Sequence, residues 1–296
     1  MKIIVPATSA NLGAGFDSIG IAVSLYLTVE VLEESSDWKI DHDLGENIPT
    51  DERNLLLTTL SAVLEDKNVA LPAKYHLKMT SEVPLARGLG SSSSVIIAGI
   101  ELANQLAKLN LTSDEKLKLA CEIEGHPDNV APALLGNLVI ASTVAGKTSH
   151  IVADFPSCAL LAFDPDYELK TLESRQVLPN ELTYKEAVAA SSIANVLTAS
   201  LLTNNLEVAG QMMEADRFHE SYRASLIPEL QLLREIGHEF GAYGTYLSGA
   251  GPTVMLLVPD NKLTLLTEKI MEKNLTGHLY PLKIDNKGLQ VEESVF

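Results

Sequence analysis

The run Pro84-Leu85-Ala86-Arg87-Gly88-Leu89-Gly90, followed by Ser91-Ser92-Ser93-Ser94 and the apolar Val95-Ile96-Ile97, has the composition of an anion cradle. Gly88 and Gly90 free the backbone, and the serines supply hydroxyls where a helix is predicted to begin. The first turn of a helix carries unpaired N–H groups and the positive end of the dipole, so a phosphate placed there is stabilised. A serine hydroxyl beside it can reach a phosphate oxygen or a magnesium ion. The sequence contains neither GxxxxGK[ST] nor GxGxxG. Taken alone, the loop reads as a serine-rich linker entering a capped helix. Two other polar segments change that reading.

The first is Glu122-Ile123-Glu124-Gly125-His126-Pro127-Asp128-Asn129, at the predicted end of a helix. Carboxylates at a helix C-terminus oppose the dipole, so Glu122 and Glu124 gain nothing locally and suggest a cation. The second, Pro6-Ala7-Thr8-Ser9-Ala10-Asn11-Leu12-Gly13-Ala14-Gly15-Phe16-Asp17, lies between two apolar runs. Asn11 and Asp17 are poor choices for such a place unless each has a partner.

The elements that would carry these segments are legible from periodicity. Strands are expected at Ile3–Val5, over 19–32 and 38–40, at 75–79, 136–142 and 159–163. Helices are expected from Asn54 to about Glu65, with Pro72 as interrupter, over 91–109, and from Thr112, whose partner Glu115 completes a capping box. Beyond Pro165 the texture turns to helices at 183–202, 204–218, 229–240 and 263–271. Among them lies a strand–glycine turn–strand unit over 246–258 with Ser248-Gly249-Ala250-Gly251-Pro252 at its turn, and edge strands follow at 279–284 and 289–291. A boundary near residue 165 gives units 1–165 and 166–296, the second an α+β arrangement of helices on an antiparallel sheet.

With 296 residues, 46% of them hydrophobic, the chain can bury substantial cores. No run of about 18 apolar residues occurs and the first residues lack a signal-peptide layout, so no membrane span is expected. Cys121 and Cys158 sit singly in apolar stretches, as reduced thiols do, and a cytoplasmic address is expected. A net charge of −17 repels nucleic acid and anionic membrane, so any phosphate site must be built locally.

The three glycine-bearing segments, in this order and end to end, resemble the GHMP kinase superfamily. Within it the opening PATSANLGAGFD, the segment EGHPDNVAPALLGN and the late Phe218-His219-Glu220-Ser221-Tyr222-Arg223-Ala224-Ser225-Leu226-Ile227-Pro228 are similar to the homoserine kinase family. The resemblance implies an α+β fold of two domains, the N-terminal one like ribosomal protein S5 domain 2 and the C-terminal one ferredoxin-like. It implies transfer of the γ-phosphoryl of ATP, with magnesium, to the side-chain hydroxyl of L-homoserine, and assembly as a homodimer. Another small-molecule kinase of the superfamily, or a silent nucleotide-binding regulator on the same fold, would share the ATP loop.

The resemblance also implies roles. Arg175 and Arg223 match the positions that take the substrate carboxylate, a task suited to the guanidinium fork. Asn11, Asp17, His126 and Asn129 match positions around the amino and hydroxyl groups. Pro84 to Ser94 matches the ATP loop, and Asn54 an adenine contact, although helix N-cap is an equal reading for it. Ser92 is expected as the serine ligand of magnesium and Glu124, or Glu122, as its carboxylate. Asp17, Asn129 and Ser92 are expected to serve the transfer itself, with Asp17 orienting substrate rather than acting as a base.

Overall fold

A computed structural model describes residues 1–71 and 73–293. Pro72 lies outside them, so its expected role as helix interrupter has no counterpart here. In chain order the elements are β1 (Lys2–Ala10), β2 (Ile19–Ser35), β3 (Lys39–Asp41), α1 (Leu55–Asp66), β4 (Lys74–Ser81), α2 (Ser91–Ala107), α3 (Ser113–Glu124) and α4 (Pro127–Leu135). There follow β5 (Leu138–Val144), β6 (Lys147–Ala153), β7 (Ala159–Pro165), α5 (Thr171–Gln176), α6 (Tyr184–Leu202), α7 (Leu206–Glu214), α8 (Glu220–Arg223), α9 (Glu229–Phe240), β8 (Gly244–Leu247), β9 (Val254–Val258), α10 (Leu263–Met271), β10 (Gly277–Leu282) and β11 (Gln290–Glu292). No helix among the described residues is long and apolar enough to cross a membrane.

The first sheet has the order β11-β1-β2-β4-β3, with β5 joining β2 and β6 joining β5. β2 serves two neighbours because it is 17 residues long: Ile19–Ile21 pair with β5 and Leu27–Ser35 with β4. Pro6 has no N–H to give the ladder, and the β1–β2 register shifts between Pro6 and Ala7. Helices α1 to α4 close one face over a core that includes Ile3, Val5, Leu57, Ile97, Leu102 and Val130.

The second sheet, β10-β7-β9-β8, is covered on both faces, which is why β9 is buried at every position. Met255 and Leu257 face a core shared with Ala7, Leu12 and Val23 of the first half and with Leu197 and Met213 of α6 and α7. Val254, Leu256 and Val258 alternate onto Leu233, Ile236 and Leu266 of α9 and α10. Capping boxes start α3 at Thr112–Glu115 and α6 at Thr183–Glu186.

Several elements depart from the sequence expectations. The helix α4 is not among the elements expected from periodicity; it holds prolines at 127 and 132, and Pro127 occupies the first helical position, where no N–H is needed. The helix expected over 204–218 ends at Glu214. Asp216 accepts hydrogen bonds from the amides of Phe218, His219 and Glu220 and restarts the chain as α8. The change of sheet falls between Ala153 and Ala159, since β7 belongs to the second sheet, and β11 returns to pair with β1 of the first. Neither matches a clean division at 165, because alternation specifies a strand's faces and not its neighbours.

Candidate active site

The phosphate-type loop is tied down on its outer side and left open toward a cleft. Leu89 is buried and its carbonyl accepts from Thr8 N at 3.1 Å. Ser94 Oγ bonds to the Pro6 carbonyl at 2.9 Å, so this serine braces the helix rather than facing a ligand. The Arg87 guanidinium turns to Asp164 and the Pro165 carbonyl. From the second sheet, Ser248 Oγ donates to the Gly88 carbonyl at 2.7 Å. Because that hydroxyl has one proton, Ser9 must donate to Ser248 and Tyr246 to Ser9, a buried relay with one direction. What remains free is the start of α2: Gly90 is the N-cap in the left-handed region, φ 70°, and no side chain among the described residues caps the helix.

Three other segments complete the cleft. α3 ends at Gly125, φ 92°, delivering Glu124 to within 3.2 Å of Ser93 Oγ. Burial raises the Glu124 pKa, opposed in part by His126 and by Ser93. His126 Nδ1 lies 2.5 Å from Asp128 Oδ1, and Asn129, which receives the Thr8 hydroxyl at 2.8 Å, donates to the same carboxylate. Burial pulls the His126 pKa down, but Asp128, with Asp17 and Glu124, carries it upward overall. Ligand atoms of Asp17, His126 and Asp128 fall within 4.8 Å of one another, a group able to hold a cation.

From the turn after β1, Asn11 accepts Asp17 N at 3.1 Å and donates to the Gly249 carbonyl at 3.0 Å. Both residues hold the left-handed backbone, φ 72° and 53°, which costs energy and recurs at sites where geometry matters. The Asp17 carboxylate is clasped by Arg175 of α5 at 2.6 and 3.2 Å. Arg223 is only 1% exposed, yet it lines the cleft. Its Nε donates to the Ser174 carbonyl, and its Nη1 to the Gly249 carbonyl and to His219 Nδ1 at 3.0 Å. Nη2 takes no partner among the described residues. The neutral tautomer of His219 follows: Nε2 carries the proton toward the Gly13 carbonyl, 2.9 Å away, and Nδ1 accepts. Burial, with Arg175 nearby, lowers the Arg223 pKa to about 10.

Of the residues named from sequence, Asn11, Asp17, Ala86, Gly88, Gly90, Ser91, Ser92, Ser93, Glu124, His126, Asn129, Arg175 and Arg223 line this one cleft. Pro84, Leu85, Arg87, Leu89 and Ser94 support the loop without lining it. Asn54 does not line it either, and both ends of its amide are used, accepting from Leu56 N and donating to the Pro49 carbonyl. The serine beside Glu124 is Ser93, whereas Ser92 is exposed. Of the two glutamates only Glu124 reaches the cleft; Glu122 is exposed, 3.8 Å from Lys118. Sequence reasoning assigned nothing to Phe16, Asp128, Leu169 or Thr171, which also line it. The D of HPDN was the one available signal among them.

Behind Arg223, Glu220 and His219 titrate in opposite senses. Burial pushes Glu220 from the ordinary 4.5 up to about 7 despite Arg234 at 2.7 Å. Burial, against Asp216 and with Arg223, pushes His219 from 6.5 down to about 4. Between pH 4.5 and 7 the folded state binds more protons at Glu220 than the unfolded chain, so this group's stabilisation is lost as pH rises. Between pH 4 and 6.5 the folded state binds fewer at His219, so that contribution is lost as pH falls. Glu220→Gln removes the first slope and keeps the second. Its urea midpoint is expected to climb more steeply from pH 4.5 to 6.5 than the parent's, and an identical slope would contradict the assignment.

The model for the GHMP kinases N terminal domain matches residues 54–137 and that for GHMP kinases C terminal matches 197–273. The homoserine kinase of Lactococcus lactis subsp. cremoris (strain SK11) is 99% identical over 296 residues, covering 100% of both chains. That of Streptococcus pneumoniae (strain Taiwan19F-14) is 58% identical over 292 residues, covering 99% of each. A solved homoserine kinase from Cytophaga hutchinsonii superposes with a TM-score of 0.84 at 26% identity, over 99% of this chain and 97% of the other.

Proposed function

Since the chain belongs to the GHMP kinases and, among them, to the homoserine kinase family, we infer that it transfers the γ-phosphoryl group of ATP to the side-chain hydroxyl of L-homoserine. The product is O-phospho-L-homoserine, for threonine biosynthesis. The observation that carries the residue assignments is one cleft walled on one side by the uncapped first turn of α2 and on the other by two guanidiniums and Asp17. An anion cradle faces a site for a zwitterion.

In this reading the amides of Gly88 to Ser93 hold the ATP phosphates. Arg223, through Nη2, and Arg175 take the α-carboxylate, and Asp17, with Asn11, His126 and Asn129 around it, takes the ammonium and directs the hydroxyl. Phosphoryl transfer asks mainly for in-line placement and charge neutralisation, so no dedicated base is required. The donor set fits magnesium: Glu124 is a half-buried carboxylate beside a serine hydroxyl, with no hydrogen-bonding cation of its own among the described residues. An ion held there would supply positive charge against the phosphate groups during transfer. Ser93 and Glu124 would hold it, with Ser92 at the rim. Two free cysteines suit a reducing cytoplasm. Assembly as a homodimer is part of the proposal, and light scattering reads it as twice 31.9 kDa.

Incubation with L-homoserine and magnesium ATP should give a 31P signal for a phosphate monoester in step with ADP. Inorganic phosphate as the sole product would contradict the reading. A Cβ at Gly88, φ 81°, would stand 2.4 Å from the Ser248 carbonyl oxygen and 3.0 Å from that of Gly251, both backbone. Gly88→Ala is therefore expected to cost about 1–3 kcal/mol of stability. It should raise KM for ATP more than KM for the acceptor, measured by urea unfolding and initial rates. Asp17→Asn is expected to weaken homoserine binding; a fall of several orders of magnitude in kcat at unchanged affinity would instead make Asp17 a base.

A further inference from the structure

Phe16 has no part in the roles given above, although it lies inside the turn that carries Asn11 and Asp17. The guanidinium carbons of Arg175 and Arg223 each lie 5.5 Å from the centroid of its ring. The ring also stacks on His219, centroids 5.1 Å apart and planes 20° apart, and on Phe218 at 6.3 Å and 21°. His219 is fixed in turn by the Gly13 carbonyl and by Arg223 itself. One aromatic ring thus touches both cations of the cleft and the imidazole that orients one of them.

Two guanidiniums brought to one ring repel each other. Asp17 compensates Arg175, but among the described residues the hydrogen bonds of Arg223 go only to neutral acceptors, two carbonyls and an imidazole. The negative face of an aromatic ring attracts a cation without neutralising it, leaving the N–H groups free for a carboxylate. An aliphatic side chain of similar volume would fill the space and supply no such attraction.

We propose that Phe16 is the positioning residue of the carboxylate clamp, its aromatic face holding Arg175 and Arg223 in the cleft against their mutual repulsion. The inference rests on the reading that these arginines take the α-carboxylate of the substrate. It identifies an apolar residue as a determinant of amino-acid recognition.

The test replaces Phe16 in the full-length enzyme with mono-, di- and trifluorophenylalanine, which weaken the ring's quadrupole while keeping its shape. KM for L-homoserine is expected to rise with each fluorine, by roughly tenfold at the trifluoro ring, with KM for ATP and the melting temperature unchanged. Phe16→Tyr should stay near the parent and Phe16→Leu should match or exceed the trifluoro variant. A flat series, or equal rises in both KM values, overturns the proposal. Arg175→Ala and Arg223→Ala are measured alongside. If they leave KM for homoserine unchanged, the carboxylate reading itself falls and takes the proposal with it; if they raise it while the series stays flat, only Phe16 loses its role.

Discussion

Arg223→Ala is expected to lower kcat/KM for L-homoserine by about 30-fold to several thousand-fold, the roughly 2–5 kcal/mol that truncating one partner of a buried charge pair costs. KM for ATP should stay near that of the parent, because the loss falls on the acceptor side of the cleft. Arg223→Lys should recover little: an ammonium cannot reproduce the fork that reaches Ser174, Gly249 and His219 at once. The same three bonds mean that the variant also melts lower, since the Ser174 carbonyl and His219 Nδ1 lose this donor and the Gly249 carbonyl is left with Asn11. The kinetic split is what separates function from folding. A fold weakened without a lost substrate contact would depress activity toward both substrates through the amount of native enzyme, with KM for homoserine unmoved.

The second large effect concerns Glu124. Glu124→Gln keeps the shape and the contact with Ser93 but removes the charge expected to hold magnesium. kcat should fall roughly 10²- to 10³-fold, and the magnesium concentration for half-maximal rate should rise. Ser93→Ala should move both quantities in the same direction by less. Glu122→Gln serves as the control, since its side chain is exposed and does not reach the cleft. Equal effects at 122 and 124 would show that the general negative field of this surface matters, rather than one ligand. An unchanged magnesium requirement in Glu124→Gln would remove Glu124 from the metal site.

How much of this was legible in the sequence depends on what each residue signals. The capping box at Thr112 marks its helix because the chemistry is local, two side-chain bonds within four residues. The glycine-rich loops are legible for the same reason: positive φ and close backbone approach leave few other choices. The choice between Ser92 and Ser93 was not legible. Which hydroxyl faces Glu124 depends on the rotation of α2 about its axis, set by packing of Ile96, Ile97 and Ile100 into the core. Phe16 was not legible as part of the site because a phenylalanine after Gly15 carries no local mark of a cation contact, and its two cations come from segments more than 150 residues away. Asn54 shows the reverse case, a polar residue read as ligand or cap that the structure uses fully as a cap. The sheet memberships of β7 and β11 were likewise out of reach, because neighbours in a sheet are a tertiary property.

The measurement that tests the central claim most directly is a coupled ADP-release assay with magnesium ATP across L-homoserine, mevalonate, galactose, shikimate and L-threonine. An anion cradle opposite a site for an ammonium and a carboxylate predicts kcat/KM for L-homoserine above that of the acceptors lacking an α-amino acid by roughly 10²-fold or more, because they leave buried charges unpaired. L-threonine, which carries both charges but sets its hydroxyl one carbon nearer, should bind and turn over poorly. Preferred turnover of mevalonate, galactose or shikimate would keep the phosphate loop and contradict the acceptor site. ATP binding with no turnover of any acceptor would contradict the kinase itself.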